Sequence, residues 1–252
     1  MDRKNAYCKI SIAPLRAQAK DQSEIVTQLL FGDLITVHDI HEPWAKITSH
    51  TDNYQGYVDF KHIRNLNDTD AKTWSEESNY LKDRERIIST PWGEQRICRG
   101  SRIAENTERF SIGADAFAFI DSSEMNHSSP LDFALDYINT PYLWGGKTPF
   151  GIDCSGITQV IYRFFGIELP RDTSQQVKHG VEIDIKNSRA NDLAFFENKN
   201  GSITHVGILN GMGGIIHASG HVRLDNFTTE GITHSDTKVL THKLSCIKRI
   251  LN

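Results

Sequence analysis

Cysteine is scarce in this chain, and its spacing argues against two common roles. The 252 residues contain four cysteines, Cys8, Cys98, Cys154 and Cys246, and no two of them form a CxxC pair. A disulfide framework needs a higher density of cysteine, and a zinc site needs closely spaced ligands. We therefore expect neither disulfides nor a metal, and no cofactor. Cys8, Cys98 and Cys246 are predicted to pack as small apolar side chains.

Long apolar runs and an excess of positive charge are also missing. No stretch of about 18 apolar residues marks a membrane span, and the opening MDRKNAYCKISIAPLRAQ lacks the apolar core of a signal peptide. The formal net charge of −4 gives no indication of a nucleic-acid partner. We expect a monomeric cytoplasmic protein that binds neither nucleic acid nor membrane. A periplasmic or secreted location is the alternative if a signal peptide has been removed.

The first half of the chain has a sequence pattern typical of β-strands. Residues 6–66 carry short runs rich in Val, Ile and Thr, separated by turn residues, and residues 80–120 carry a second, weaker set. Such spacing predicts two small barrels or sandwiches. The polar segments 66–79 and 121–130 are predicted to be linkers.

From Pro130 the pattern changes to helices followed by strands. Helical spacing of apolar residues predicts two helices, through Leu131, Leu135 and Ile138 and through Ile157, Val160, Ile161 and Phe164, the second stopped by Gly166. Apolar runs then predict strands at residues 192–197, 205–210, 214–219 and 246–251. Helices followed by an antiparallel sheet predict an α+β domain.

Cys154 falls in the first turn of the second predicted helix, with Asp153 as a plausible N-cap. The free N–H groups of a helix start favour a thiolate and can lower its pKa, and they could also bind an oxyanion. Gly156 would leave room for a substrate. The neighbouring carboxylate of Asp153 works against the thiolate, so its position needs a reason.

Two histidines supply the partners that a reactive cysteine needs. His205 and His217 lie in consecutive strands around the glycine-rich turn GMGG. A register with Leu209 opposite Gly213 would place the two histidines directly opposite each other, with Cβ atoms about 5 Å apart. His205 would then be the base and His217 its orienting partner. The alternative is two unrelated histidines on a polar face.

The blocks PYLWGGKTPFGIDCSG, LPRDTSQQ, HVGIL and IIHASG, in this order, resemble the NlpC-type papain-like cysteine peptidases of bacterial cell-wall metabolism. The resemblance covers residues 128–252 and implies a papain-like α+β domain. The two N-terminal modules, at residues 1–67 and 75–122, resemble bacterial SH3-like barrels. The combination is similar to the γ-D-glutamyl-L-diamino acid endopeptidases, also called the dipeptidyl-peptidase VI type.

The resemblance implies a role for each matching residue. Cys154 matches the nucleophile, His205 the base and His217 the third member of the triad. The remaining matches are Tyr142 for an oxyanion donor, Trp144 for a pocket wall, and Ser155 and Thr173 for contacts to the γ-D-glutamate carboxylate. Thr173 departs from the more frequent serine but keeps the hydroxyl.

The implied substrate is a murein peptide, L-Ala-γ-D-Glu-L-diamino acid, with a free N-terminal amine. In the family, an acid and a tyrosine of the first module help to bind it, and here we expect Glu24 and Tyr57, with Tyr54 less favoured. If Asp153 faces the cleft, it would pair with the same amine, which would explain its place beside the thiol. We expect a cysteine peptidase that acts in the recycling of cell-wall peptides. The alternatives are a non-catalytic wall-binding protein and a papain-like amide or acyl transferase.

Overall fold

The computed structural model describes residues 4–104, 107–123 and 127–251, which fall into two compact units, 1–125 and 126–252. Both predicted N-terminal modules lie in the first unit, and the boundary between them stays a prediction. The second predicted linker, 121–130, lies partly outside the described residues. Within the described part of the chain, every helix is too short or too polar to cross a membrane.

The first unit opens with a seven-stranded antiparallel sheet in the order β3-β2-β6-β5-β4-β1-β7. Its strands are β1 (Lys4–Cys8), β2 (Ile12–Arg16), β3 (Ile25–Leu30), β4 (Leu34–His41), β5 (Trp44–Ser49), β6 (Gln55–Asp59) and β7 (Ile63–Leu66), with a 3₁₀ turn at Phe60–His62. In β2, β5 and β6 alternate residues are buried, which is the period expected of half-buried strands. Cys8 belongs to the resulting core, as predicted.

The rest of the first unit is a four-stranded sheet, β10-β9-β13-β12, and a two-stranded ribbon, β11-β8. The elements are α1 (Asp68–Glu77), β8 (Ser78–Tyr80), β9 (Glu85–Thr90), β10 (Gly93–Cys98), β11 (Arg102–Ala104), β12 (Arg109–Ile112) and β13 (Asp115–Phe119). The strand-rich prediction for residues 80–120 is confirmed.

The predicted linker at residues 66–79 is wrong, because most of it is helix α1. Asn67 caps the helix by accepting from the Asp70 N–H. Ala71 and Trp74 are the buried face, and Trp74 donates to the Gly32 carbonyl at 2.8 Å. Only two apolar residues mark this face, so the segment is polar by composition although it packs into the core.

The second unit begins with short helices and loops. Its elements are α2 (Pro130–Leu135), β14 (Lys147–Thr148), β15 (Gly151–Ile152), α3 (Cys154–Arg163), α4 (Thr173–Gln176), β16 (Val181–Glu182), a 3₁₀ turn (Ile185–Asn187), β17 (Leu193–Glu197), β18 (Ile203–Leu209), β19 (Gly214–Ser219), β20 (His221–Phe227), β21 (Gly231–Thr233) and β22 (Leu240–Arg249). All four predicted strands are present, and β20 and β21 were not predicted.

The strands of the second unit form an antiparallel sheet that closes on itself. β22 pairs with β17 at one side and with β21 at the other, so the strands β17 to β22 make a continuous ring. Closure requires the long β22, which begins at Leu240, six residues before the predicted start of the last strand. Cys246 lies in this strand and is only partly buried, so the prediction of a packed core cysteine is wrong there.

Helix α3 packs against β18 and β19, and each of its ten residues is buried. The prediction of this helix is confirmed, including its end before Gly166, which has a φ of 75°. In α2 the predicted apolar face is wrong: Leu135 is 48% exposed, whereas Phe133 and Ala134 are buried. The helix is only six residues long, too short for a helical period to identify its buried face.

Candidate active site

Cys154 is the first residue of α3 and is 6% exposed. The Asp153 side chain accepts from the Gly156 N–H at 2.7 Å, which confirms the predicted N-cap. The thiol lies beside strand β18, where it contacts the backbone of Val206. This hydrogen bond lowers the pKa of Cys154. The pairing of β18 with β19 begins one residue later, at Gly207. The start of the helix is thus placed beside the strand residue that follows His205.

The negative charge next to the thiol has a partner that the sequence analysis did not identify. Arg171 makes a bidentate ion pair with Asp153: one guanidinium nitrogen lies 3.0 Å from Oδ1, and the other contacts Oδ2. The Gly145 N–H donates to Oδ2 at 2.8 Å. Burial would lower the pKa of Arg171, but the charge and hydrogen bonds of Asp153 raise it. Both side chains are almost fully buried, so each charge depends on the other.

These contacts change the explanation for Asp153. Its oxygens serve a helix cap, a loop amide and an internal cation, and each of these gives a structural reason for an acid at this position. The role at the substrate amine is not tested by these contacts and stays a prediction. The Arg171 cation also favours the thiolate of Cys154, which partly offsets the effect of Asp153 on the thiol.

The expectation of a lowered cysteine pKa is wrong for the protein without substrate. Burial raises the pKa of Cys154 to about 11, and Asp153 adds to the rise. A hydrogen bond with Thr173, the backbone of Val206 and the Arg171 charge act in the opposite direction but do not outweigh burial. The loss of hydration of the nearly inaccessible sulfur therefore raises the pKa of Cys154 by more than the helix start lowers it.

His205 and His217 contact each other, although the predicted register is wrong. His217 pairs with Gly207 and Leu209 pairs with Ile215, so the ladder is shifted by two residues. A shift of two keeps both side chains on the same face. The rings therefore meet diagonally, with Nε2 of His205 2.9 Å from Nδ1 of His217. This bond leaves Nδ1 of His205 as the nitrogen that can receive another proton.

Burial also determines the charge state of the histidines. It is the main cause of a pKa of His205 well below its ordinary value, and His242 and His217 add to the effect. Burial likewise lowers the pKa of His217 to about 4. With the raised pKa of Cys154, the free site holds a neutral thiol and neutral imidazoles near pH 7. The arrangement can act by general-base activation of the thiol as it attacks, without a preformed ion pair.

His242 and Asp225 complete the surroundings of the two histidines, and both were missed. The His242 ring stacks on His205 with centroids 4.1 Å apart and planes 23° apart. Asp225 Oδ2 lies 3.1 Å from Nε2 of His217. Neither residue belongs to a recognised block, and closure of the ring of strands is what brings His242 of β22 to His205. The short polar–apolar alternation of residues 221–227 was the available signal for the strand that carries Asp225.

The three histidines are the one group among the described residues whose nitrogens could meet at a metal, with ligand atoms within 4.8 Å of one another. A metal lies in the plane of each imidazole that binds it. The near-parallel stack of His205 on His242 separates their ring planes, so both rings cannot direct a lone pair at one ion. The geometry fits a stacked hydrogen-bonded chain better than a metal centre.

Other predicted residues surround Cys154. The backbone of Tyr142 bridges to Ile152 and donates to the Gly220 carbonyl at 3.0 Å, which ties it to the segments that carry Cys154 and His217. Burial raises the pKa of Tyr142 to about 12, helped by the charges of Cys154 and Asp153. Its hydroxyl therefore keeps its proton and can donate a hydrogen bond.

Thr173 and Ser155 lie in the same place. Thr173 Oγ1 is 3.8 Å from the sulfur of Cys154. Ser155 Oγ accepts from Arg171 at 2.8 Å and contacts Asp153. Trp144 stands in the loop before the hairpin β14–β15 and is 61% exposed, as a wall residue could be. The roles of these residues toward a substrate stay predictions.

The predicted reason for Gly156 is wrong. A Cβ at this position would lie 2.3 Å from the carbonyl oxygen of Gly146, so the glycine allows the helix start to pack against the loop backbone. The space that we assigned to a substrate is filled by this loop.

Glu24 and Tyr57 belong to the first unit, where they flank the end of β2. Arg16 pairs with Tyr57 on one side and with Ile25 on the other, and the carbonyl of Glu24 accepts from the Ala17 N–H. The structure thus brings both predicted residues to the same end of strand β2. Their place in a substrate cleft stays a prediction.

The pKa values predict how Cys154 reacts with iodoacetamide. With a pKa of about 11, the thiolate fraction at pH 7 is about 10⁻⁴ and rises tenfold per pH unit. We expect the alkylation rate to rise across the whole range from pH 6 to 10, measured by mass spectrometry of the Cys154 peptide. Peptide mapping is needed because Cys246 is a second free thiol and is only partly buried. A rate that is constant between pH 5 and 9 would instead indicate a thiolate–imidazolium pair.

Comparison with known families agrees with the two-part organisation. The model of the NlpC/P60 family matches residues 139–241, and the model of the bacterial dipeptidyl-peptidase SH3 domain matches residues 15–63. The first match contains Cys154, His205 and His217, and the second contains Glu24 and Tyr57.

Curated relatives and a solved structure align with most of the chain. The chain is 28% identical to the gamma-D-glutamyl-L-lysine dipeptidyl-peptidase of Bacillus cereus over 225 residues. The aligned region covers 78% of this chain and 68% of that protein. It is 25% identical to dipeptidyl-peptidase 6 of Lysinibacillus sphaericus, over 85% of this chain and 88% of that protein. The crystal structure of an NlpC/P60 family protein from Bacillus cereus aligns with a TM-score of 0.78 at 22% identity, over 98% and 100% of the two chains. The predicted fold class is confirmed.

Proposed function

Since the chain joins an NlpC/P60 cysteine-peptidase domain to a bacterial dipeptidyl-peptidase SH3 domain, we propose that it hydrolyses the γ-D-glutamyl-L-diamino acid bond of murein peptides with a free N-terminal L-Ala. One observation carries this proposal. The thiol of Cys154 is buried at the start of α3, beside strand β18, and His205 of that strand is hydrogen-bonded to His217 of β19. Two relatives with dipeptidyl-peptidase names support the choice of substrate.

The proposed reaction uses the side chains already described. His205 accepts the thiol proton at Nδ1 while the sulfur attacks the carbonyl carbon of the γ-glutamyl bond. Tyr142 and backbone N–H groups at the start of α3 stabilise the oxyanion. His205 then gives its proton to the leaving amine, and water, deprotonated by the same nitrogen, hydrolyses the thioester.

The substrate and the cellular context are part of the same proposal. Ser155 and Thr173 are assigned to the α-carboxylate of γ-D-glutamate, and Asp153 and Glu24 to the free amine. We propose that the substrate is a released murein peptide, cleaved in the cytoplasm during cell-wall recycling. The cysteines, which the structure holds as thiols, are compatible with a reducing compartment.

A peptide panel tests the bond and the amine requirement together. We expect L-Ala-γ-D-Glu-L-Lys to be cleaved to L-Ala-D-Glu and lysine, and N-acetylation of its L-Ala to lower kcat/KM by about 10–100-fold, the value of one charge-assisted hydrogen bond. Products are quantified by mass spectrometry, with diaminopimelate in place of lysine as a second series. Equal kcat/KM for free and acetylated peptides would contradict amine recognition.

The panel also separates the two alternative functions. A wall-binding protein without activity would give no product from any peptide. A transferase would give an amide adduct when glycinamide is supplied as acceptor, in preference to the free acid. Either result would exclude the proposed hydrolysis.

A further inference from the structure

A chain of hydrogen bonds extends beyond the two histidines and ends at Asp225. His205 Nε2 lies 2.9 Å from His217 Nδ1, and His217 Nε2 lies 3.1 Å from Asp225 Oδ2. The three residues are 6%, 1% and 3% exposed, so water does not replace these contacts. Asp225 reaches His217 from the neighbouring strand, where it lies opposite Ile215.

The carboxylate of Asp225 is surrounded by hydrogen-bond donors and by the Arg223 guanidinium. Oδ1 accepts from Arg223 Nη2 at 3.0 Å and from the Ser235 N–H at 2.8 Å. Oδ2 lies 2.9 Å from Arg223 Nε and also faces His217. Burial would raise the pKa of Asp225, but the bonds from Ser235, His217 and Arg223 outweigh it and lower the pKa to about 2. The carboxylate is therefore ionised and cannot donate.

The direction of each bond follows from this fixed end. An ionised carboxylate requires a proton on Nε2 of His217, and a neutral imidazole has only one proton, so its Nδ1 carries a lone pair. That lone pair in turn requires a proton on Nε2 of His205. The Nδ1 of His205 is then the atom without a proton.

We propose that Asp225 is a positioning residue that sets the tautomers of both histidines and so keeps Nδ1 of His205 free to accept the thiol proton of Cys154. The inference rests on the proposed function in one respect, which is that His205 is the base. Asp225 itself touches neither the thiol nor the substrate; it acts through His217. The device is a four-residue chain, Cys154–His205–His217–Asp225, rather than a triad.

The substitution Asp225→Asn tests the chain because it replaces one carboxylate oxygen with an NH₂ group. The oxygen that remains is best placed where Arg223 Nη2 and the Ser235 N–H donate, so the NH₂ group faces His217 Nε2, which must then accept. The proton of His217 moves to Nδ1, and that of His205 follows to its own Nδ1, where it blocks the reaction. A wrong tautomer of this kind costs roughly 10⁴-fold in kcat in a serine-protease triad. We expect a loss of that order with little change in KM.

The tautomers themselves are measured by ¹⁵N NMR of the 252-residue protein with labelled histidine. In the wild type we expect His205 and His217 both to carry their proton on Nε2, and in Asp225→Asn both to carry it on Nδ1. The matched control is Asp236→Asn, which removes a carboxylate 83% exposed and 4.0 Å from Arg223 and should change neither tautomers nor kcat.

The outcomes are distinguishable from failure of the proposed function. If no murein peptide is cleaved but the tautomers are as expected and exchange in Asp225→Asn, the positioning role holds and the substrate assignment fails. Wild-type His217 or His205 protonated on Nδ1 would overturn the inference, even if Asp225→Asn does not fold. A folded Asp225→Asn protein with wild-type tautomers and kcat would overturn it as well.

Discussion

Replacing Cys154 with alanine is expected to lower hydrolysis of L-Ala-γ-D-Glu-L-Lys by roughly 10⁶-fold, the loss found when the nucleophile is removed from a serine-protease triad. The reason is chemical: without the sulfur no thioester forms, and the remaining hydrogen-bond donors act on a water that nothing holds in place. The residual rate is measured by mass spectrometry at high enzyme concentration over several hours.

The folded state should survive this change. Cys154 is buried at a helix start, and alanine keeps the backbone and most of the volume while the Asp153 cap stays intact. Cys246→Ala is the matched control, because it removes a partly buried thiol of the same unit and should leave kcat/KM unchanged. If Cys154→Ala kept more than a tenth of the wild-type rate, another residue would have to be the nucleophile.

The features of the site that depend on neighbours along the chain were predictable. The cap of Asp153, the helix that follows Cys154 and the common face of His205 and His217 all follow from local periodicity. A two-residue error in register changed none of this, because the side-chain period of a strand is two. The length of the turn decides the register, and GMGG alone does not specify it: the loop between Leu209 and Ile215 is longer than the assumed one.

The features that depend on distant segments were not predictable in the same way. Arg171 lies 18 residues from Asp153, and its pairing requires knowledge of how the loop before α4 returns to the helix start. His242 reaches His205 only because β22 closes the ring of strands. The pKa of Cys154 is a further example, since its direction is set by burial, which a sequence motif does not reveal.

Replacing Arg171 with methionine is expected to destabilise the second unit by about 3–5 kcal/mol, because it leaves the Asp153 carboxylate buried without its cation. Methionine fills much of the space, so the loss is mainly electrostatic. Hydrogen exchange of the α3 amides measures it within this unit, and we expect exchange to be roughly 10²–10⁴-fold faster. Lys243→Met breaks an exposed ion pair of the same unit, with Glu197, and should leave exchange in α3 unchanged.

A double-mutant cycle with Asp153→Asn identifies the cause. If the buried charge is responsible, Arg171→Met costs much less once Asp153 is neutral, with a coupling energy of about 2–4 kcal/mol. Additive costs would mean that Arg171 stabilises by packing alone.

The same two variants also change the pKa of the Cys154 thiol. Arg171→Met removes a nearby cation and should raise this pKa, whereas Asp153→Asn removes the acid and should lower it. Opposite shifts of the alkylation curve along the pH axis would show that Arg171 is what makes an acid beside the thiol tolerable.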